Sequence, residues 1–244
     1  ALLVQTQAQG RVTSIPVGGT PLVPDNQVNG PVPRLADGHP DLTGPWIGGG
    51  SNADIEREGG LKPGELPLLP WAKTLRDGRK EQDEPYVACL PMSVPRMNPY
   101  PWKFVNAYTS KGLTEIYILH ELGDAGAHRV VYMDGRKHPA DVFPTWYGHS
   151  IGRWEGDTLV IDTVGYNDKF WFDSRGTPHT EQLHTIERWT RINYGTMTND
   201  FTLVNSDPLV TMLALQQYTQ ATVDLVDAFI ALAKTYKAAG ITFA

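Results

Sequence analysis

From residue 102 onward the chain is a succession of short runs rich in β-branched and aromatic residues, each closed by turn residues. That rhythm constrains the fold more than any other feature, because such runs with period-two alternation form strands. It predicts strands over residues 102–109, 113–121, 128–134, 149–155, 157–164, 182–192 and 196–204. Asp134-Gly135, Glu155-Gly156-Asp157 and Asn193-Tyr194-Gly195 supply turns between them. Consecutive antiparallel strands in that number give a sheet that curls. The predicted fold class is therefore mainly β, an antiparallel meander closing into a lipocalin-like barrel or half-barrel. A two-sheet sandwich is the alternative.

The two ends have a different character. Residues 1–40 are polar, Pro/Gly-rich and aperiodic, and Pro31-Val32-Pro33-Arg34-Leu35 reads as an extended arm that wraps its own domain or reaches a neighbour. Residues 41–100 stay irregular, and Gly48-Gly49-Gly50 lacks the strand-to-helix context of a phosphate loop. At the other end Ser206-Asp207-Pro208 is a helix start. Met212, Leu215, Thr219, Val223, Val226, Phe229, Ile230 and Ala233 then recur at spacings of three and four, an amphipathic helix ending near Gly240. The expected organisation is an arm over 1–40, a β-rich domain over 41–205, and a helix over 206–244 packed on that domain or on a neighbour.

Charge and composition exclude some functions. With 244 residues, a net charge of −6 and no basic run, the chain lacks the Lys/Arg footprint of a nucleic-acid binder. No stretch approaches the roughly 18 to 20 apolar residues of a membrane span. Cys89 is the one cysteine, so it makes no internal disulfide or cysteine-based metal motif, and a partly buried thiol is expected. The opening Ala1-Leu2-Leu3-Val4-Gln5-Thr6-Gln7-Ala8-Gln9 has the small, then Gln/Ala-rich character found near a signal-peptide cleavage site, and points to a secreted or periplasmic protein.

Chemistry-bearing residues concentrate between 147 and 187. His149, His179 and His184 fall there, among Glu155, Asp157, Asp162, Asp168, Asp173, Glu181 and Glu187. Imidazole and carboxylate serve both as general acids and bases and as ligands of a divalent transition metal such as Zn or Cu. A three-residue turn at 155–157 sets His149 opposite Thr163, next to Asp162. A two-residue turn is read as setting His149 opposite Asp162 itself. Either register leaves a His held by a carboxylate, the arrangement that fixes a tautomer. On a strand, His179, Glu181 and Glu187 share one face and His184 takes the other. The catalytic candidates are His149, Asp162, Glu181 and Glu187, and the metal candidates are His149, His179 and His184. The plain alternatives are that Glu155 and Asp157 serve the turn, that Asp168 and Asp173 cap turns, and that Arg188 and Arg191 pair with carboxylates on a solvated face.

Aromatic residues crowd the same region. Trp146, Tyr147, Trp154, Tyr166 and Trp171 are candidates to line a cavity for a small apolar or aromatic molecule, and as core and rim of the barrel they need no ligand.

The run Gly148-His149-Ser150-Ile151-Gly152-Arg153-Trp154-Glu155-Gly156-Asp157-Thr158-Leu159-Val160-Ile161-Asp162-Thr163 resembles the signature of a large family of exported bacterial proteins of uncharacterised function. Met133-Asp134-Gly135-Arg136-Lys137-His138-Pro139, Pro144-Thr145-Trp146, Gly165-Tyr166-Asn167-Asp168, Pro178-His179-Thr180-Glu181-Gln182-Leu183-His184, Asp41-Leu42-Thr43-Gly44-Pro45-Trp46 and Pro99-Tyr100-Pro101-Trp102 extend the resemblance over roughly residues 33–205. It implies export and a β-rich domain, and brings no activity with it. Beyond residue 205 the chain departs from that pattern, with the amphipathic helix in place of a Pro/Trp-containing strand and an acidic, Cys-bearing tail.

Two functions follow. One is a secreted or periplasmic enzyme acting on a small apolar or aromatic substrate, by His/carboxylate acid–base or metal-assisted chemistry of lyase, isomerase or hydrolase type. No nucleophile elbow or nucleotide fingerprint is present. The other is a non-catalytic binding or self-assembling protein, a homo-oligomer, filament or surface layer whose subunits meet through the arm and the helix.

Overall fold

A computed structural model describes residues 2–6, 29–46, 54–58, 61–66, 68–94, 96–97, 101–121 and 128–204. Nine strands form one sheet: β1 (Leu2–Thr6), β2 (Gly44–Trp46), β3 (Trp102–Thr109), β4 (Gly112–His120), β5 (His128–Tyr132), β6 (His149–Glu155), β7 (Thr158–Val164), β8 (His184–Asn193) and β9 (Thr196–Val204). Their order is β1-β9-β8-β7-β6-β5-β4-β3-β2, with β1 and β2 at its two ends, and the sheet forms a half-barrel. Strands β3 to β9 lie where the β-branched and aromatic runs place them. The two edge strands carry no such signal, since β2 spans only Gly44–Trp46 and β1 falls in the Gln/Ala-rich start.

The expected all-antiparallel meander is broken at one place. β5 and β6 run parallel, pairing Val131 with Ser150 and Tyr132 with Ile151. Asp134-Gly135 bends the chain, with Gly135 at φ 79°, but it opens a crossover over residues 133–148 instead of closing a hairpin, because parallel neighbours require a long return. Pro139 and Pro144 lack the N–H that a ladder needs. The crossover is tied down at its far end, where the Thr145 N–H donates to Gly165 O at 2.9 Å and the Asn167 N–H to Thr145 O at 2.8 Å.

Strand alternation divides the sheet into two faces. One carries the core. Trp102, Phe104, Ile116, Ile118, Val131, Leu159, Ile161 and Trp189 form one buried cluster on it, and Phe201 joins Tyr166, Phe170, Phe172 and Leu183 in a second. A charged pair lies on this same face. Arg129 Nη2 donates to Glu187 Oε1 at 2.6 Å and to Thr163 Oγ1 at 3.2 Å, while Glu187 Oε2 accepts from Trp189 Nε1 at 3.2 Å and Asn199 Nδ2 at 3.4 Å. Both side chains are almost wholly buried, at 1% and 0% exposure. A buried ion pair needs such additional partners, because desolvation opposes it.

Residues 41–100 hold more order than their composition suggests. Helices α1 (Ile55–Glu58) and α2 (Pro70–Gly78) form there, α2 with a proline in its first turn, where the missing N–H is not needed. Cys89 is exposed, not partly buried: it ends a short 3₁₀ turn with φ 59°. Arg191 also departs from expectation. It is buried, and its guanidinium donates to the carbonyls of Asp41, Asn193 and Tyr194 and not to a carboxylate. The C-terminal helix and most of the arm lie outside the described residues.

Candidate functional site

The hairpin joining β6 to β7 sets the geometry of the site. Glu155 pairs with Thr158 across a two-residue Gly156-Asp157 turn, and Gly156 takes φ 60°, a left-handed conformation suited to glycine. That register puts His149 opposite Val164 and Asp162 opposite Ile151. Neither expected alignment is found: His149 faces neither Thr163 nor Asp162, because the two-residue turn is Gly156-Asp157 and not Glu155-Gly156, which carries His149 one place past Thr163. His149 and Asp162 are diagonal neighbours on the face opposite the core. β8 pairs Ile186 with Asp162, so His184, two residues earlier, also stands on that outer face.

The crossover supplies a third imidazole, His138. Its Nε2 lies 3.1 Å from Asp162 Oδ1, and its Nδ1 lies 2.8 Å from His149 Nδ1. His184 Nε2 lies 2.7 Å from the same Asp162 Oδ1. One carboxylate oxygen therefore receives two imidazoles, and a third is bonded behind the first. Tyr132 stacks on His149 with ring centroids 5.2 Å apart, and the Arg136 guanidinium lies 3.8 Å over the Tyr132 ring. Arg136 is itself held by a fork of hydrogen bonds onto Asp134. Gly148 allows the close approach that brings His149 in. Its φ is 67°, and a Cβ there would lie 2.7 Å from both Thr163 Cγ2 and Val164 O.

With all three rings neutral, the hydrogen bonds set the tautomers. An ionised Asp162 only accepts, so His138 and His184 both present Nε2–H to it. His138 Nδ1 is then an acceptor and His149 must offer Nδ1–H, which leaves a lone pair on His149 Nε2. Burial works against the Asp162 carboxylate, yet the hydrogen bonds from His184 and His138 more than offset it and hold its pKa below the usual value. Burial lowers the pKa of His149, and His138 and Arg136 push it the same way, so the ring is neutral at neutral pH.

No family model, no curated protein and no solved structure matches the chain.

The other candidate residues are placed elsewhere. Strand β8 begins only at His184, so His179 and Glu181 lie in the preceding loop and not on a shared strand face. His179 packs between Phe170 and Phe172, at centroid distances of 4.0 and 4.9 Å, in the core cluster on the other side of the sheet from His149 and His184. The set His149, His179 and His184 is thus not assembled. Among the described residues no group of three or more His, Cys, Asp or Glu is placed to hold a metal ion. Glu181 is exposed in a turn, and Glu187 is sealed against Arg129. Of the aromatic candidates, Tyr166 is fully buried with its hydroxyl 2.9 Å from Thr185 Oγ1, and burial pushes its pKa up to about 12. Trp154 stacks on His39, Trp146 and Tyr147 pack against the second core cluster, and Trp171 borders a surface cleft near α2. Glu155 and Asp157 bind Arg188 and Arg34, and Asp173 caps its turn through the N–H groups of Arg175 and Thr177.

His138, Tyr132 and Arg136 belong to the site and were not singled out by sequence reasoning. The Met133-to-Pro139 motif holds Arg136 and His138, and Tyr132 precedes it on the predicted strand 128–134, but neither signal says which strand they will lie beside. No helix among the described residues is long and apolar enough to cross a membrane.

Proposed function

We propose that this protein is an exported enzyme whose acid–base centre is the relay Asp162–His138–His149, with His184 as a second imidazole on the same carboxylate. The observation that carries the reading is the sharing of Asp162 Oδ1 by His138 Nε2 and His184 Nε2, with His149 bonded to His138 from behind. Asp162 holds both contacting rings in one tautomer, and His138 passes that orientation on to His149. His149 Nε2 is the base that takes a proton from the substrate. As positive charge grows on His149, it is spread through His138 toward the Asp162 carboxylate. His184, once protonated, donates from Nδ1 while Nε2–H stays on Asp162. One proton taken and one returned at neighbouring positions is the requirement of an isomerase, a lyase or a hydrolase.

A small apolar or aromatic substrate fits the surroundings. Tyr132 walls one side of His149, and Phe143, on the crossover that carries His138, is 83% exposed. Export is what the family resemblance implies. The alternative, a binding or self-assembling protein whose subunits meet through the arm and the C-terminal helix, rests on segments that lie largely outside the described residues.

The test is a panel of small aromatic esters, enolisable ketones and β-hydroxy carbonyl compounds, followed by NMR in D2O. Turnover or deuterium incorporation by the wild type that is lost in His149→Ala and Asp162→Asn supports the reading. Equal turnover in all three proteins contradicts it.

A further inference from the structure

We propose that the cleft between α2 and the loop joining β7 to β8 binds a small molecule through a single carboxylate or phosphate group. The cleft has a volume of about 420 Å3, within the range of small-ligand sites. Arg76, Arg79, Lys80 and Arg175 border it, against two acids, Asp77 and Glu81.

The cations are not equivalent. Arg175 is engaged by Asp54 at 3.0 Å and Glu56 at 3.7 Å. Arg76 stands 4.0 Å from Glu56 and 3.6 Å from Asp77. Arg79 has no such partner: its Nη1 donates to Gly176 O at 2.6 Å and its guanidinium lies 5.0 Å over the Trp171 ring. Among the described residues no carboxylate reaches ion-pair distance of Arg79 or of the Lys80 ammonium. Burial lowers the Arg79 pKa, with Asp173 and Asp168 only partly offsetting it from a distance. A guanidinium taken partly out of water without a counter-ion is the group that an oxyanion satisfies. Trp171 and Gly176 hold its plane in place beforehand. The Ser174 hydroxyl, which accepts from Arg96 Nη2 at 3.3 Å, keeps its own O–H for the ligand. Asp77 and the exposed Glu81 oppose a densely charged ligand such as a polyphosphate, which is why one oxyanion group is the fit.

None of these residues belongs to the histidine site, so the two readings stand or fall separately. The experiment is calorimetric titration of the full chain at low, matched ionic strength with sodium benzoate, with inorganic phosphate, and with chloride as control. The expected result is saturable one-site binding of benzoate or phosphate, with a dissociation constant of about 1 mM or tighter. Which of the two binds assigns the carboxylate or the phosphoryl source. Arg79→Lys should weaken binding about tenfold by removing the planar fork, and Lys80→Gln about threefold. Glu81→Gln should tighten it about twofold, a gain that a folding defect does not produce. The proposal is overturned if neither anion binds above the chloride control, or if the three variants bind as the wild type does.

Discussion

His138 and His149 meet through their Nδ1 atoms at 2.8 Å, and this contact joins a residue of the crossover to a residue of β6. It makes His149 dependent on Asp162, with which it shares no hydrogen bond of its own. The consequences for titration, stability and tautomer state are open to measurement.

His149 should titrate below the ordinary histidine value, because its ring is partly buried and lies near His138 and Arg136. Arg136→Gln removes a positive neighbour and should move the His149 pKa upward, toward 6.5. Proton NMR of the imidazole resonances across a pH series reads this directly. An unchanged or lower value in the variant would mean that Arg136 does not act on the ring.

The buried pair Arg129–Glu187 should tolerate loss of both charges better than loss of one. Glu187→Gln leaves the guanidinium sealed without its counter-charge and should destabilise the fold by about 3 to 5 kcal/mol. Arg129→Met combined with Glu187→Leu should recover much of that loss. Urea denaturation of the two variants decides it. A double variant no more stable than Glu187→Gln alone would show that the pair does more than balance charge.

Acid should weaken the fold through His120. Its ring nitrogens are buried without a hydrogen-bond partner among the described residues, and burial, with Arg129 nearby, lowers its pKa to about 3. The folded value lies below the unfolded one, so between about pH 6.5 and pH 3 the unfolded chain binds a proton that the folded chain does not. Stability should therefore fall as the pH drops through that window, by an amount on the order of a few kcal/mol. His120→Gln should flatten the dependence in urea titrations at pH 7 and pH 4.5. The same slope in both proteins would place the acid sensitivity elsewhere.

Gly148 should matter more than its conformation alone explains. Gly148→Ala drives a Cβ against Thr163 and Val164 at 2.7 Å, whereas Gly135→Ala, at a similar positive φ of 79°, meets open space. The first should lose about 2 kcal/mol or more, the second about 1 kcal/mol, by chemical denaturation. Equal losses would mean that the approach of Gly148 to β7 is loose.

The strand pattern was legible in the sequence because β-branched and aromatic alternation is local. β3 to β9 all sit on their predicted runs, and the β6–β7 hairpin that carries His149 and Asp162 is legible too, but not its register or the contact of His184 with Asp162. What the sequence hid is non-local. The parallel pairing of β5 with β6 depends on where the crossover returns, and only that return brings His138 to Asp162. His179 reads like a partner of Glu181, but β8 starts five residues after it and the ring goes to the phenylalanines of the core. Glu187 reads like a catalytic acid, and one step of alternation turns it to the face occupied by Arg129.

The most direct test of the relay is the tautomer of His149. Nitrogen-15 NMR of the imidazoles at a pH above its pKa should show His149 protonated on Nδ1 with Nε2 bare, and His138 protonated on Nε2. In Asp162→Asn that ordered pattern should be lost. If His149 instead carries its proton on Nε2 in the wild type, the chain of hydrogen bonds from Asp162 does not reach it, and the proposed base is wrong.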